Sequence, residues 1–371
     1  MNIIIYVGMD VHSSSFTLCS YTIEGDKILY VQKMEPDYKL ILKYLEWVRT
    51  QFDGDVQFLC GYEAGCLGYT LYHQLTDHNV QCVILAPTTM AITSKNKIKT
   101  DKRDAGNIAK CLAYHTYSPV YVPTEEDEQV KEYIRMRDDH KLLLKKIKQQ
   151  ILALCLRHGY HYKEGKCNWT QKHLAWLKSL NLDGLLQETM EEYLLTYGQL
   201  TDKIERLDKR IEELATGMSY HENVQKLRCF IGVETHTALA VLVEVGDFKR
   251  FSKAEKFASY LGLVPGETSS GEKQNRMGIT KAGNSHMRRL LTEAAQCYTR
   301  GQIGYKSKAL KLRHAGKPPE VIAYANKANE RLKRKYYKMI FNNAKHNVAK
   351  TAVARELACF MWGMMTGNTA V

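Results

Sequence analysis

The sequence predicts an α/β domain at the amino terminus, followed by long helices and a basic, mainly helical carboxyl-terminal part. Three observations support this prediction: strand-like and helix-like segments alternate over residues 3–85, helical periodicity is sustained beyond Pro123, and positive charge is concentrated after residue 226. Alternation of strands with helices favours a sheet that is at least partly parallel. With 371 residues, the chain is long enough for two or three domains.

The strand signals lie in the first part of the chain. A continuous apolar run at residues 3–7 is followed by two further strand-like runs with turn residues between them, which predicts a three-strand meander. Two more apolar runs, residues 56–60 and 80–85, are typical of buried strands, and helix-like segments at 38–52 and 68–78 precede and separate them. Because the first half is a meander, a mixed sheet is favoured over a purely parallel, doubly wound one.

Two long helices with regular apolar spacing come next. One is predicted over residues 127–158 and the other over 189–216, where leucine and isoleucine recur at alternating spacings of four and three residues. A connector with two tryptophans, Trp169 and Trp176, joins them. The pattern predicts a helical hairpin or a coiled coil used for dimerisation, and a helical layer packed inside one subunit fits the same spacing equally well.

Basic residues outnumber acidic ones by 53 to 40, and the excess lies in the carboxyl-terminal part. Residues 226–371 include 26 Lys and Arg against 10 Asp and Glu, a charge of +16, whereas the preceding 225 residues have 27 against 30, a charge of −3. This asymmetry indicates a polyanionic partner bound mainly by the carboxyl-terminal part. Binding to a membrane surface is less favoured, since the basic residues alternate with apolar helical positions.

The composition argues against several other classes of protein. With 44% hydrophobic and 25% charged residues, the chain is typical of folded globular proteins. No apolar run reaches the ~18–20 residues that a membrane helix needs, and no secretory leader is recognisable, so a cytoplasmic location is expected. The ten scattered cysteines form no Cys-x-x-Cys pair and are expected to be buried thiols rather than disulfides or zinc ligands.

Four acidic residues lie at predicted element boundaries in the amino-terminal domain. Asp10 and Glu63 each follow a buried strand directly, while Asp101 and Asp104 begin an amphipathic helix one turn apart, with Thr100 or Asp101 suited to the cap. Carboxylates from two strand ends and one helix can converge at one edge of a sheet. Such hard oxygen ligands suit two Mg²⁺ ions ~3.5–4 Å apart that act on a phosphoryl group. Each acid alone would also suit a turn or a surface salt bridge.

A glycine-rich stretch at residues 262–283 includes two adjacent serines, Ser269 and Ser270. A serine hydroxyl needs a base or a metal for activation, and His286 is the one histidine near this stretch. Ser-His-Asp chemistry is therefore disfavoured, and activation by metals brought from another domain is chemically reasonable. The residues predicted to contact nucleic acid lie here and in a later basic, tyrosine-rich segment: Arg276, Lys281, Asn284, Arg288, Arg289, Lys306, Lys308, Arg331, Lys333, Arg334 and Lys335.

Together these motifs resemble the DEDD transposases of bacterial insertion sequences, the insertion-sequence 110 family. The motifs are GMDVH at residues 8–12, YEAG at 62–65, KTDKRDA at 99–105, LGLVP at 261–265, SSG at 269–271 and ITKAGN at 279–284. The resemblance covers nearly the whole chain. It implies a RuvC-like (RNase H fold) α/β domain over residues 1–124, an α-helical coiled-coil segment used for dimerisation over 125–222, and a mainly α-helical transposase domain with the serine loop over 223–371.

The same resemblance implies an activity. The four acids would bind divalent ions, two Mg²⁺ with Mn²⁺ as an alternative, and a loop serine would attack DNA to form a phosphoserine intermediate. The Pro-x-x-x-Ser spacing favours Ser269, and Ser270, directly before the glycine, is its rival.

The family resemblance also implies partners: a non-coding RNA that pairs with donor and target DNA, and homodimers that pair into tetramers. Two alternative functions stay open at this point. One is a RuvC-type junction nuclease that uses water as its nucleophile, and the other is a non-catalytic nucleic-acid-binding protein.

Overall fold

The chain divides into two compact units, Met1–Val122 and Pro123–Val371. A computed structural model describes residues 2–65, 67–90, 100–267 and 276–369. The first unit is α/β and the second is mainly helical, so the predicted mixed α/β amino-terminal domain and helical carboxyl-terminal part are confirmed. The boundary predicted after residue 124 lies two residues beyond the observed division, and the one predicted after residue 222 falls inside the second unit.

A five-stranded sheet forms the centre of the first unit. The strands, in the spatial order β3-β2-β1-β4-β5, are β1 (Asn2–Val11), β2 (Phe16–Thr22), β3 (Lys27–Met34), β4 (Asp55–Glu63) and β5 (Gln81–Leu85). The first three strands pair with one another in antiparallel fashion, as expected for a meander, whereas β4 runs parallel to β1 and β5 runs parallel to β4. Parallel pairing brings the carboxyl ends of β1 and β4 to the same edge of the sheet.

Helices cover both faces of this sheet: α1 (Tyr38–Arg49) and α2 (Thr70–Asp77) on one side and α3 (Asp101–Ala113) on the other. Successive residues of a strand point to opposite faces, so Val7 and Met9 pack with the core under α1 and α2. Gly8 faces α3, where a Cβ would lie 2.0 Å from the carbonyl oxygen of Ala105. Glycine at this position therefore permits the close packing of α3 on β1.

Two long antiparallel helices begin the second unit, α4 (Glu125–Arg157) and α6 (Leu185–Leu214), with the short α5 (Gln171–Lys178) in their connector. The side chain of Thr124 caps α4 by accepting from the backbone N–H of Asp127. Farther along, the guanidinium of Arg137 donates to both carboxylate oxygens of Asp208 at 2.7 and 2.9 Å. The helices thus pair within one chain as a hairpin; their use in dimerisation stays a prediction.

The remaining elements surround α8 (Thr235–Val245), in which every residue from Ala238 onward is buried. They are α7 (His221–Leu227), α9 (Ala254–Tyr260), β6 (Pro265–Glu267), β7 (Arg276–Ile279), α10 (Ser285–Ala295), α11 (Lys308–His314), α12 (Pro319–Phe341) and α13 (His346–Thr366). Ile134 of α4 and Ile211 of α6 belong to the same apolar core. The base of the helical hairpin is therefore continuous with the carboxyl-terminal body.

Two predictions made from composition concern the cysteines and the possibility of a membrane-spanning helix. The nine described cysteines are free thiols, of which Cys167 and Cys297 are exposed, Cys359 is half-buried and the other six are buried. Cys66 lies outside the described residues. Of the helices in the described part of the chain, none combines the length and the apolar character needed to cross a membrane.

Candidate functional site

Asp10 and Glu63 lie at matching positions near the carboxyl ends of neighbouring parallel strands. Met9 pairs with Tyr62 in the β1–β4 ladder, so each acid lies one residue beyond this pair. Adjacent strands are about 4.8 Å apart. Asp10 also shares a face with Gly8, two residues earlier, which is the face that packs against α3. The sheet therefore presents both backbone positions at the edge where α3 begins.

The other two predicted acids, Asp101 and Asp104, lie in the first turn of α3. Thr100 is the capping residue by position, although its side chain makes no capping hydrogen bond. Instead, Asp101 Oδ2 accepts from Lys33 Nζ at 2.9 Å. Lys33 reaches it because Asp10 pairs with Thr17 and Thr17 with Lys33, which places the lysine and Asp10 in one row across three strands.

A histidine that was not among the predicted ligands completes the closest group. Ligand atoms of Asp10, His12 and Asp101 lie within 4.8 Å of one another, and His12 Nε2 is 3.3 Å from Asp10 Oδ1. Glu63 and Asp104 lie outside this group of three. The signal for His12 was its spacing: two residues beyond Asp10 along an extended chain, it follows on the same side of the strand.

The electrostatics of Asp10 fit a bound cation. Burial raises the pKa of Asp10; His12 offsets part of this rise, and the nearby carboxylates of Asp104 and Asp101 add to it. Asp10 Oδ2 is buried and has no hydrogen-bond partner. A buried carboxylate oxygen without a donor is costly unless a positive charge compensates it. By contrast, the hydrogen bond from Lys33 lowers the pKa of Asp101.

The predicted serine loop joins the two strands of a small hairpin. Pro265 of β6 pairs with Ile279 of β7, while Ser269 and Ser270 lie outside the described residues, as does the side chain of Arg276. Tight packing fixes the base of the hairpin: a Cβ at Gly283 would lie 2.0 Å from the carbonyl oxygen of Tyr260, and Gly283 has a φ of +92°. Glycine is therefore required where the chain leaves the hairpin.

Comparison with known proteins identifies the family of this chain. Residues 224–310 match the model of the Transposase IS116/IS110/IS902 family, and residues 7–158 match an IS110-type DEDD transposase model. The transposase for insertion sequence element IS1533 of Leptospira borgpetersenii is 32% identical, over 90% of this chain and 95% of that protein. The chain belongs to the IS110 family of transposases.

Two other relatives are similar over most of their length. The putative transposase y4qE of Sinorhizobium fredii is 32% identical, over 97% of this chain and 88% of that protein. The transposase for insertion sequence element IS1111A of Coxiella burnetii is 25% identical, over 86% of each. The similarity to the first of these spans both units, so membership does not depend on either unit alone.

Two residues of this transposase at the start of α10, Asn284 and His286, bind a buried carboxylate of α8. Glu244 accepts from Asn284 Nδ2 at 2.7 Å and from Arg135 Nε and Nη2 at 2.8 and 3.0 Å, while His286 Nδ1 is 3.1 Å away. Burial works to raise the pKa of Glu244, but these donors hold it at about 2. Asn284 also caps α10 by accepting from the N–H of Met287. Its amide is therefore committed to contacts within the chain.

A second buried carboxylate, Asp138 of α4, lies against basic side chains from three helices. Arg289 Nη2 lies 2.6 Å from Asp138 Oδ2 and His286 Nε2 lies 2.8 Å from the same oxygen, while His236 Nε2 is 2.9 Å and Arg137 Nη1 3.1 Å from Oδ1. Burial would raise the pKa of Asp138, yet these hydrogen bonds hold it far below its usual range. Arg289, predicted to contact nucleic acid, thus has an internal partner.

The other residues predicted to contact nucleic acid differ in exposure and in their partners within the chain. Arg288 donates to the carbonyl oxygen of Leu261 at 2.8 Å. Lys333 differs from the expected surface position: it is 5% exposed and its Nζ donates to the carbonyl oxygen of Gln302 at 3.0 Å. The remaining side chains are exposed or half-buried; of these, Arg331 and Lys335 pair with Glu356, Arg334 pairs with Glu330, and Lys281, Lys306 and Lys308 complete the set.

Proposed function

We propose that DNA cleavage by this transposase depends on divalent cations held by the predicted tetrad, Asp10, Glu63, Asp101 and Asp104, and that a serine of the loop, Ser269 or Ser270, is the nucleophile. The observation that supports the cation site is the grouping of ligand atoms of Asp10, His12 and Asp101 within 4.8 Å of one another, beside a buried Asp10 Oδ2 that has no hydrogen-bond partner. Carboxylate oxygens favour Mg²⁺, with Mn²⁺ as the alternative.

The amino-terminal unit holds these carboxylates on rigid elements. Asp10 and Glu63 lie at the carboxyl ends of adjacent parallel strands, and the packing of α3 on Gly8 fixes the turn that bears Asp101 and Asp104. Two bound Mg²⁺ ions would neutralise charge on the scissile phosphate and favour the ionised form of the attacking hydroxyl. The mixed sheet with carboxylates at one edge supports a RuvC-like (RNase H fold) assignment for this unit.

The serine supplies the covalent step. Its hydroxyl loses its proton as the oxygen forms a bond to the scissile phosphorus, the bond from phosphorus to the departing strand's oxygen breaks, and that oxygen takes up a proton, so no net proton is gained or lost. One phosphodiester is exchanged for another, so the strands can be rejoined without ATP by the reverse attack. A glycine-rich loop on a hairpin suits this role because it lets DNA approach the backbone closely.

Nucleic acid is the partner that the charge distribution favours. The 26 basic residues against 10 acidic ones in residues 226–371 suit binding to phosphates. We extend the proposal to a non-coding guide RNA that pairs with donor and target DNA, and to homodimers that pair into tetramers; both rest on family membership. Sequencing of RNA that co-purifies with the protein tests the guide, since a plain nuclease would enrich no element-encoded transcript.

The nucleophile is tested with Ser269→Ala, Ser270→Ala and the double variant. End-labelled donor DNA is incubated with each protein and Mg²⁺, and products are resolved in SDS before and after proteolysis. The double variant and Asp10→Asn are expected to lose both cleavage and the protease-sensitive protein–DNA adduct, and one single serine variant should match the double variant. Ser252→Ala, an exposed serine outside the loop, serves as the control.

Two outcomes would contradict the proposed function and identify a different one. Cleavage that survives the double serine substitution without an adduct would identify a nuclease that uses water. Metal-independent DNA binding without strand breakage in the wild-type protein would identify a non-catalytic binding protein.

A further inference from the structure

His12 lies among the carboxylates of the metal centre without belonging to the tetrad. Its Nε2 is 3.3 Å from Asp10 Oδ1, and both residues share a 4.8 Å group with Asp101. The position is fixed by the chain, since the backbone N–H of His12 donates to the carbonyl oxygen of Ser15 at 3.0 Å in the turn that follows β1. The His12 side chain is 58% exposed, so the ring can turn at little cost in packing.

The separations in this group suit one shared ion. Around an octahedral cation with ligand distances of about 2.1 Å, adjacent ligand atoms are roughly 3.0 Å apart and opposite ones roughly 4.2 Å apart. The distance of 3.3 Å between His12 Nε2 and Asp10 Oδ1 is close to that between adjacent ligand atoms. The upper limit of 4.8 Å for the whole group is close to the distance between opposite ligand atoms. Side-chain shifts of less than about 1 Å would bring all three atoms to a common ion.

An interaction of His12 with Asp10 alone does not compensate the buried Oδ2 of Asp10. The ring lies beside Oδ1, whereas the buried oxygen without a partner is Oδ2. A cation bound by the carboxylate would compensate Oδ2 and at the same time accept the imidazole nitrogen as a ligand. Imidazole nitrogen is a poor ligand for Mg²⁺ and a good one for first-row transition ions.

We propose that His12 is a nitrogen ligand of one divalent cation, shared with Asp10 and Asp101, and that it shifts the preference of the site from Mg²⁺ towards transition-metal ions. This inference rests on the proposed metal centre and specifies its ion selectivity. The remaining tetrad residues, Glu63 and Asp104, keep an all-oxygen set for a second ion.

The experiment measures metal binding in the full-length protein without DNA. Mn²⁺ serves as the probe: its affinity is obtained from the electron paramagnetic resonance signal of free Mn²⁺, and its ligands from electron spin-echo modulation by nitrogen. Mg²⁺ affinity is obtained by competition. The proteins are wild type, His12→Ala, His12→Asn, Asp10→Asn and the control His78→Ala, an exposed histidine at the end of α2.

Wild type and His78→Ala are expected to bind Mn²⁺ with nitrogen modulation. Both His12 variants should lose the modulation and weaken Mn²⁺ binding about tenfold or more, a loss typical even of outer-shell partners, with Mg²⁺ affinity almost unchanged. The wild-type spectrum is informative by itself, so the test does not depend on how the variants fold.

Different failures separate this inference from the proposed centre. Mn²⁺ that binds to wild type and is lost in Asp10→Asn, but shows no nitrogen modulation, would overturn the role of His12 and leave the tetrad standing. Nitrogen modulation that persists in the His12 variants would also overturn it, because another histidine would be the ligand. Mn²⁺ binding that Asp10→Asn leaves intact would contradict the metal centre itself.

Discussion

His286 Nε2 lies 2.8 Å from Asp138 Oδ2, although the two residues are 148 positions apart in the sequence. The other ring nitrogen of His286 is 3.1 Å from Glu244 Oε1. A neutral imidazole donates from one nitrogen only, so this ring can donate to both carboxylates only when it is protonated. This ring therefore links α4, α8 and α10 through charge.

The stability of the second unit should depend on pH through His286. Burial lowers the pKa of His286, but the two carboxylates outweigh this and raise it above its ordinary value. The stabilisation is fully present below about pH 6.5, the unfolded pKa of histidine, and is lost as pH rises through the higher folded pKa. Melting temperatures measured from pH 6 to 9 should fall more for wild type than for His286→Gln. Parallel curves for the two proteins would contradict this.

Asp138 should be among the most sensitive charged residues of the chain. Asp138→Asn removes the charge that Arg137, His286 and Arg289 face, and breaking a buried ion pair in this way costs about 3–5 kcal/mol. The matched control is Asp208→Asn, because Asp208 binds the same Arg137 but its side chain is 42% exposed against 3% for Asp138. Urea unfolding measures both; equal losses would mean that burial of Asp138 is not the cause.

Gly8→Ala should separate α3 from β1. The new Cβ would lie 2.0 Å from Ala105 O and 2.4 Å from Ala109 N, which are backbone atoms that cannot turn aside. We expect a loss of several kcal/mol in unfolding free energy, in the range of severe core changes, and weaker Mn²⁺ binding because Asp101 moves with α3. Gly198→Ala, in open space within α6, should be stabilising by about 0.5–1 kcal/mol. Unchanged Mn²⁺ binding in Gly8→Ala would show that α3 does not set the site.

Asp10→Asn should stabilise the metal-free protein while it abolishes stabilisation by metal. The raised pKa of Asp10 means that its ionised form is less favourable in the folded than in the unfolded chain, so near neutral pH the charge opposes folding. In EDTA, the melting temperature of Asp10→Asn should exceed that of wild type, and added MgCl₂ should raise only the wild-type value. Glu35→Gln, an exposed acid of the same unit, controls for net charge. A lower melting temperature for Asp10→Asn in EDTA would show that the carboxylate is compensated without metal.

Exposed lysines should set the salt dependence of DNA binding. Lys281→Gln with Lys308→Gln is expected to reduce the slope of log affinity against log salt by about 0.9 for each phosphate of duplex DNA that the variant no longer neutralises. Arg334→Gln, whose guanidinium already pairs with Glu330, should change the slope less. An unchanged slope in the double variant would mean that other residues bind the phosphates. Deletion of the residues after Gly301 would not measure their contribution to the salt dependence. It would also remove Leu332 and Leu357, which are fully buried in the core, and so would disrupt the fold.

The sequence determined the local features of this transposase. Strand and helix periodicity, turn residues and helix starts act over a few neighbouring positions, so the meander, the later parallel strands and the two long helices could be predicted close to their observed bounds. The same signals located Asp10 and Glu63 at strand ends and Asp101 at a helix start, because an element boundary is itself a local feature. Parallel pairing of β1 and β4 places Asp10 and Glu63 at one edge of the sheet, whereas the joint binding of a metal by all four acids stays a prediction.

Only the tertiary structure decided which side chains have partners. His286 meets Asp138 across 148 residues, Lys33 reaches Asp101 from the edge strand, and Lys333 turns towards Gln302 instead of the solvent. No periodicity encodes these contacts, since each depends on the packing of elements that are distant in the chain. In the sequence, a basic residue that binds phosphate cannot be distinguished from one that binds a buried carboxylate. Which of the two it binds depends on the desolvation of the carboxylate, and this is a property of the folded core.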